Sequence, residues 1–176
     1  EASSAVSVPA FSPVTPVLAE VQSIPGIRAA TPYIYTEVLL STPRGATGLV
    51  LRGVDPLQAG EALHLLRDMP EGKVEDLAAE GIPGIVVGKN LAARFGLKVG
   101  SRINLMSPMG ERSAAGFSPK IRPFRVAGMF SSGMTDYDSR LAYVSLDAAQ
   151  ELLGLPGGRV SGIEAFCDDP YQAREL

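Results

Sequence analysis

Glycines and a lysine meet at Gly84-Ile85-Val86-Val87-Gly88-Lys89-Asn90, a strand-to-helix junction of the kind that can cradle a phosphate. A P-loop has four residues between its glycines, then Lys and Ser or Thr, so that amides wrap the phosphate and a hydroxyl reaches magnesium. Here three residues separate the glycines and Asn90 follows the lysine. The glycines therefore read as allowing a tight turn, with Lys89 solvated. Asp136, Asp138, Asp147 and the pair Asp168-Asp169 raise metal binding or acid/base work. Asp-x-Asp without the glycine and twelfth-position glutamate of an EF-hand does not support it, and acids at turns and helix starts have plain local duties. Cys167 is the one cysteine and His64 the one histidine, so no internal disulfide forms. A thiol beside Phe166 with no histidine near it in sequence reads as a small core residue, not a nucleophile. No zinc-ligand cluster and no nucleophile elbow is present. No enzyme, no metal and no cofactor is expected.

A different chemistry is offered by Ser107 to Arg125, SPMGERSAAGFSPKIRPFR, which carries four basic residues and one acidic one. Arg112, Lys120, Arg122 and Arg125 supply charge-assisted donors, Phe117 and Ile121 are apolar, and Pro108, Pro119 and Pro123 stiffen the segment and blunt edge pairing. Connections beyond about 12 to 15 residues are usually functional or disordered, so this stretch reads as a contact arm.

The elements that must hold that arm follow from periodicity. Pro13 to Ile24 has Val14, Val17, Leu18, Val21 and Ile24 at helical spacing, stopped by Pro25-Gly26, and its apolar face requires a sheet. Ile27 to Leu40, a turn at Thr42-Pro43-Arg44-Gly45 and Thr47 to Val54 make a β-hairpin. Short helical pieces follow at Pro56 to Leu66 and Lys73 to Glu80. Gly84 to Gly88 is a buried strand, Lys89 to Phe95 a helix capped by Gly96. Strands at Arg102 to Met106 and Phe124 to Phe130 flank the arm. Thr135 to Ser139 reads as a loop, Leu141 to Val144 as a strand, Ser145 as the cap of a helix to Leu153, Val160 to Phe166 as the last strand, and a helix is expected after Pro170. Helices and strands mix without strict alternation, which indicates an α+β fold.

The chain has 176 residues, 45% of them apolar, and a net charge of -3. That suffices for a packed core and provides no global positive field to gather nucleic acid. No run of 18 apolar residues occurs, and the opening EASSAVSVPAF lacks the pattern of a signal peptide. The expectation is a soluble piece of something larger, starting in a Ser/Ala/Pro stretch and stopping inside a helix at Gln172 to Leu176.

Taken in order, GIVVGKNLA at Gly84 to Ala92, FGLKVG at Phe95 to Gly100, FRVAGMF at Phe124 to Phe130, SGMTDYDS at Ser132 to Ser139 and AYVSL at Ala142 to Leu146 resemble the periplasmic domain of LolC/LolE-type lipoprotein-releasing ABC transporter permeases. Ile24 to Pro32 and Leu51 to Pro56 fit the same family. The resemblance implies an α+β MacB-like periplasmic core, with a Porter-like part at residues 1–50 and 158–176 and a Sabre-like part at 51–157. A protruding β-hairpin, the Hook, would occupy 107–125. It implies a domain on the periplasmic side of a bacterial inner-membrane protein. That domain would dock the carrier LolA, hand lipoprotein to it, and work with a partner permease subunit and the cytoplasmic ATPase LolD. The family's Pro-basic-apolar-basic pattern falls on Pro119-Lys120-Ile121-Arg122, so these residues, with Arg112 and Phe117 nearer the tip, are the expected carrier contacts. Two other readings remain: a MacB- or FtsX-like extracytoplasmic domain that binds another partner and transmits force, and, from another class, a periplasmic enzyme.

Overall fold

The computed structural model describes residues 14–58, 64–113, 116–155 and 158–167. Its longest element is set by the β-branched and aromatic run after Gly26: β1 (Ile27–Thr42) turns at Pro43-Arg44 into β2 (Gly45–Val54), pairing Ile34 with Gly53 through Thr42 with Gly45. Ahead of them α1 (Val14–Gln22) packs on β1, but Leu18 and Val21 are only half-buried and Val17 is exposed. The sheet that its apolar face calls for covers it in part.

Two helical fragments follow, at residues 56–58 and in α2 (His64–Arg67). A two-residue strand β3 (Glu71–Gly72) and a 3-10 turn at Val74–Ala78 come next, the latter standing where a short helix was expected. Strand β4 (Gly84–Gly88) is buried along its whole length and runs straight into α3 (Lys89–Phe95), ended by Gly96 at φ 62°. The left-handed cap that glycine favours is thus in place.

The strands around the arm run much further than their alternation predicts. β5 (Arg102–Ser113) and β6 (Gly116–Phe130) pair from Arg102 with Arg125 out to Ser113 with Gly116, with a register shift between Ser107 and Glu111. Segment 135–139, expected as a loop, is the helix α4 (Thr135–Arg140). It carries no apolar period to announce it. It is held by the Ser139 hydroxyl donating to the Thr135 carbonyl at 2.6 Å and by Asp138, which is buried and accepts from the Ser132 amide and hydroxyl, each at 2.7 Å. Then come β7 (Leu141–Ser145), α5 (Leu146–Leu153) and β8 (Gly162–Cys167). Ser145 caps α5 as expected, its Oγ accepting from the Ala148 amide at 3.2 Å. The helix expected after Pro170 lies outside the described residues.

The pairings close on themselves. β1 joins β2, β2 joins β7 in parallel, β7 joins β4, β4 joins β6 in parallel, β6 joins β5, and β5 returns to β1 through Leu39 to Ser41. Six strands therefore form a ring, with β8 attached to the first half of β1 alone. Strand alternation sorts side chains between two cores. Ile85, Val87, Leu105, Phe124, Val126, Ala142 and Val144 point inward against α3 and α5. Val86, Ala127, Phe130, Leu141 and Tyr143 point outward under α2 and the 3-10 turn. In that outer core Phe130 and Tyr143 meet edge to face, ring centroids 5.5 Å apart. Helix α5 packs against β1, β2, β5, β6 and β7, and Gly53 makes room for it: a Cβ there would lie 2.7 Å from that of Ala149.

The α+β mixture expected from the sequence is what forms.

Candidate functional site: the arm and its root

The last ladder contact of β5 with β1 is Met106 with Leu39, and β6 meets β4 only from Arg125 onward. Beyond Met106 and its partner Ile121 the two strands are laddered to each other alone, so residues 107–120 leave the ring as a two-stranded ribbon. The ribbon is one turn of ladder to Ser107 opposite Lys120, then a bulge at the prolines, then a second stretch to the turn. Pro108 and Pro119 flank the shift, as expected for residues without an amide hydrogen to contribute.

The six predicted contact residues do not share one face. Arg112 and Phe117 stand directly opposite each other, next to the last pair of the hairpin. Farther down, period-two alternation splits the Pro119-Lys120-Ile121-Arg122 pattern. Ile121 is 53% exposed and sits across from Met106, on the outward face of the ring strands. Pro119 is half-buried on that same side, close to Leu39, Met106 and Pro108.

Lys120 and Arg122 face the other way, toward α5. They line a cleft with Asp147, Gln150, Glu151 and Gly154. Arg122 forms an ion pair with Glu151, with side chains 32% and 60% exposed respectively. The Lys120 ammonium stands 3.8 Å from where a Cβ on Gly154 would be, at the C-terminal end of α5. That end carries the negative pole of the helix, which favours the lysine there, and it has no carboxylate partner among the described residues. Glu151 is the site residue that sequence reasoning missed. It lies far from Arg122 in the chain, and only the packing of α5 across the ring brings them together.

The other chemical candidates have structural duties. Gly88 is tight because a Cβ there would lie 2.3 Å from the carbonyl oxygen of Asp138, and a Cβ on Gly84 would lie 2.2 Å from that of Asp76. Lys89, expected to be solvated, is half-exposed with its ammonium 3.9 Å from the Asp138 carboxylate. His64 Nδ1 stands 2.8 Å from the Arg67 guanidinium, and Cys167 is half-buried on β8 opposite Ile27. Among the described residues no group of three or more His, Cys, Asp or Glu side chains is placed to hold a metal. Behind the ring, burial pushes the Tyr143 phenol above its ordinary value, with nearby Arg52 acting against it. Arg52 pairs with Glu164 of β8 and lies 5.2 Å over the Tyr33 ring, tying β8 to the ring.

Comparison with known proteins gives a consistent result. Residues 3–175 match the family described as MacB-like periplasmic core domain. The chain is 32% identical over 154 residues to the lipoprotein-releasing system transmembrane protein LolC of Neisseria meningitidis, covering 86% of this chain and 36% of that protein. It is 24% identical over 156 residues to LolE of Haemophilus influenzae, covering 88% and 36%. The chain thus spans about a third of the length of the curated relatives it matches. Among solved structures, the periplasmic region of MacB from Actinobacillus actinomycetemcomitans superposes with a TM-score of 0.60 at 15% identity, covering 92% of this chain and 67% of that one. The extracellular domain of the noncanonic ABC-type transporter YknZ from Gram-positive bacteria gives 0.59 at 14%, covering 94% and 78%.

Proposed function

Because the chain belongs to the MacB-like periplasmic core domains, and among them to the LolC/LolE type, we propose that it is the periplasmic domain of the membrane subunit of a lipoprotein-exporting ABC transporter. In this reading the arm docks the periplasmic carrier LolA and the domain hands lipoprotein to it. ATP hydrolysis belongs to a separate cytoplasmic subunit of the LolD kind, a second permease subunit completes the membrane part, and this domain carries out no reaction of its own.

The observation that carries the reading is the ribbon itself. A ring that closes on six strands has no need of residues 107–120, which leave it as a stiff, proline-flanked hairpin with basic and apolar residues. Exposed edge strands are normally kept short or covered, and a projecting one is best explained by something that meets it. The division into a Porter-like part at 1–50 and 158–176 and a Sabre-like part at 51–157 belongs to the same proposal. A change of partners occurs along β1, from β8 over Ile27 to Tyr33 to β2 and β5 over Ile34 to Thr42, and it falls ahead of the proposed boundary at 50/51.

The test is calorimetric titration of this chain with LolA from the same organism at two salt concentrations, beside a variant whose residues 108–119 are replaced by a short Gly-Ser turn. That cut keeps Ser107 opposite Lys120 and leaves the Arg122 ion pair intact. Binding that disappears with the ribbon and weakens with salt is the expected result. No binding by the intact chain, or equal binding by the shortened one, would overturn it.

A further inference from the structure

Strand β1 carries one extra residue near its start. Ile27 pairs with Cys167 of β8 and Ala29 with Phe166, so Arg28 stands between two consecutive ladder pairs with no partner of its own. A bulge of this kind re-aims a side chain, and bulges are over-represented at sheet edges and beside active sites. Here it puts Arg28 on the border of a cleft of about 900 Å³, which it shares with His64 and Arg67 of α2. Gln22, at the end of α1, and Gln58 bring amides to the cleft, while Ile27, Ala29 and Phe166 give it an apolar side.

The charge in the cleft is of one sign. No carboxylate borders it among the described residues. The Arg28 guanidinium has neither an ion pair nor a hydrogen bond among them. Arg67 pairs at 3.3 Å with Asp68, which is exposed and stands outside the lining. Arg67 also fixes His64: a guanidinium has only hydrogens to give, so Nδ1, 2.8 Å away, accepts and Nε2 keeps its hydrogen for another acceptor. A cleft lined by charge of one sign concentrates ions of the other.

Two features choose among anions. A carboxylate has two oxygens, which a single guanidinium fork satisfies, whereas a phosphate presents oxygens in several directions at once and suits donors from Arg28, Arg67 and His64 together. The volume falls in the range of small-molecule sites, about 300 to 1,000 Å³, so the phosphate has room to carry an organic body against Ile27, Ala29 and Phe166.

We infer that this cleft binds a phosphomonoester whose organic part is apolar or aromatic. The site is distinct from the arm and needs none of its residues. Because Arg28 belongs to β1 and Arg67 to α2, the bound phosphate ties those two elements together.

The experiment titrates phenyl phosphate into this chain by calorimetry at fixed pH and ionic strength, beside inorganic phosphate and benzoate, and repeats it on Arg28→Gln, Arg67→Gln and Arg44→Gln. One-to-one binding of phenyl phosphate, tighter than that of either control, is expected. It should weaken about tenfold in Arg28→Gln and in Arg67→Gln. It should not change in Arg44→Gln, whose arginine lies in the turn beyond the other end of β1. All three arginines are exposed, so the variants should melt like the wild type. Vesicles of phosphatidylcholine with phosphatidate added, tested by cosedimentation, tell a lipid headgroup from a soluble ester as the source of the phosphate. No binding of either probe by the wild type, or wild-type affinity in both cleft variants, would overturn the inference. An equal loss in Arg44→Gln would also overturn it, because the attraction would then be general, and so would benzoate binding as tightly as phenyl phosphate.

Discussion

Reversing the charge of Arg122 separates support of the arm from contact with a partner. At 4 Å two unit charges attract by about 1 kcal/mol in water and about 4 at an effective dielectric of 20. Both side chains of the Arg122–Glu151 pair are partly in solvent, at 32% and 60% exposure, so screening brings the net worth to about 0.2–1 kcal/mol. Arg122→Glu removes that attraction and adds a repulsion of similar size, so the expected loss is about 1 kcal/mol. For a domain of this size that corresponds to a drop of about 2–4 °C in melting temperature. Lys120→Glu, with no carboxylate partner among the described residues, should cost less. The double swap Arg122→Glu with Glu151→Arg rebuilds the pair in reverse and should recover most of the loss, giving a coupling of up to about 1 kcal/mol in a double-mutant cycle. Carrier affinity is then measured on the swapped protein. If it returns along with stability, Arg122 works by fixing β6 against α5; if it stays low, the guanidinium itself meets the carrier. An Arg122→Glu variant that melts like wild type, or a swap no better than the sum of its parts, would refute the assignment of Arg122 to α5.

Three further outcomes are expected. Gly88→Ala drives a Cβ against the Asp138 carbonyl oxygen, 2.3 Å away on rigid backbone, and should cost about 1–3 kcal/mol in denaturant unfolding, whereas Gly48→Ala, with open space, should be neutral or better. Ser145→Ala deletes the acceptor for the Ala148 amide and should lower stability by about 1 kcal/mol, seen as a lower denaturant midpoint at unchanged slope. The Tyr143 phenol is raised above 10.0 in the folded state, so the native state holds its proton more tightly than the unfolded chain and stability falls as pH climbs through and beyond that value. Melting curves from about pH 9 to 11 should therefore decline less steeply for Tyr143→Phe than for the wild type, and parallel declines would contradict the burial argument.

Local signals carried most of the element assignments. The alternation in β1 and β2, the apolar run of β4, the glycine after α3 and the serine before α5 each act over a few residues, and each could be read directly. What escaped reading depends on distant partners. α4 is polar throughout and exists because Asp138 turns inward to bind Ser132, so no hydrophobic period announces it. The outer parts of β5 and β6 have proline-broken patterns that suggest irregular chain, yet each strand is the other's ladder. In the candidate site, the residue types of the arm were legible and their distribution was not. Alternation alone would have put Lys120 and Arg122 opposite Ile121, but which side meets α5 is decided by packing across the ring.

Closing a ring has a kinetic consequence. The β1–β2 hairpin is local and can form early, but its outer neighbours are far along the chain: Val50 waits for Leu141 and Leu40 for Leu105. Non-local pairings of this kind must overcome loop-closure entropy before they return any stability. A nascent chain emerging amino end first therefore holds a hairpin whose β1 edge is unfilled until β5 arrives and whose β2 edge is unfilled until β7 does, and this interval is when it is most prone to wrong pairing. The β7 segment completes the ring from within the last fifth of the sequence, so truncations short of Ser145 should yield aggregates instead of a smaller folded domain.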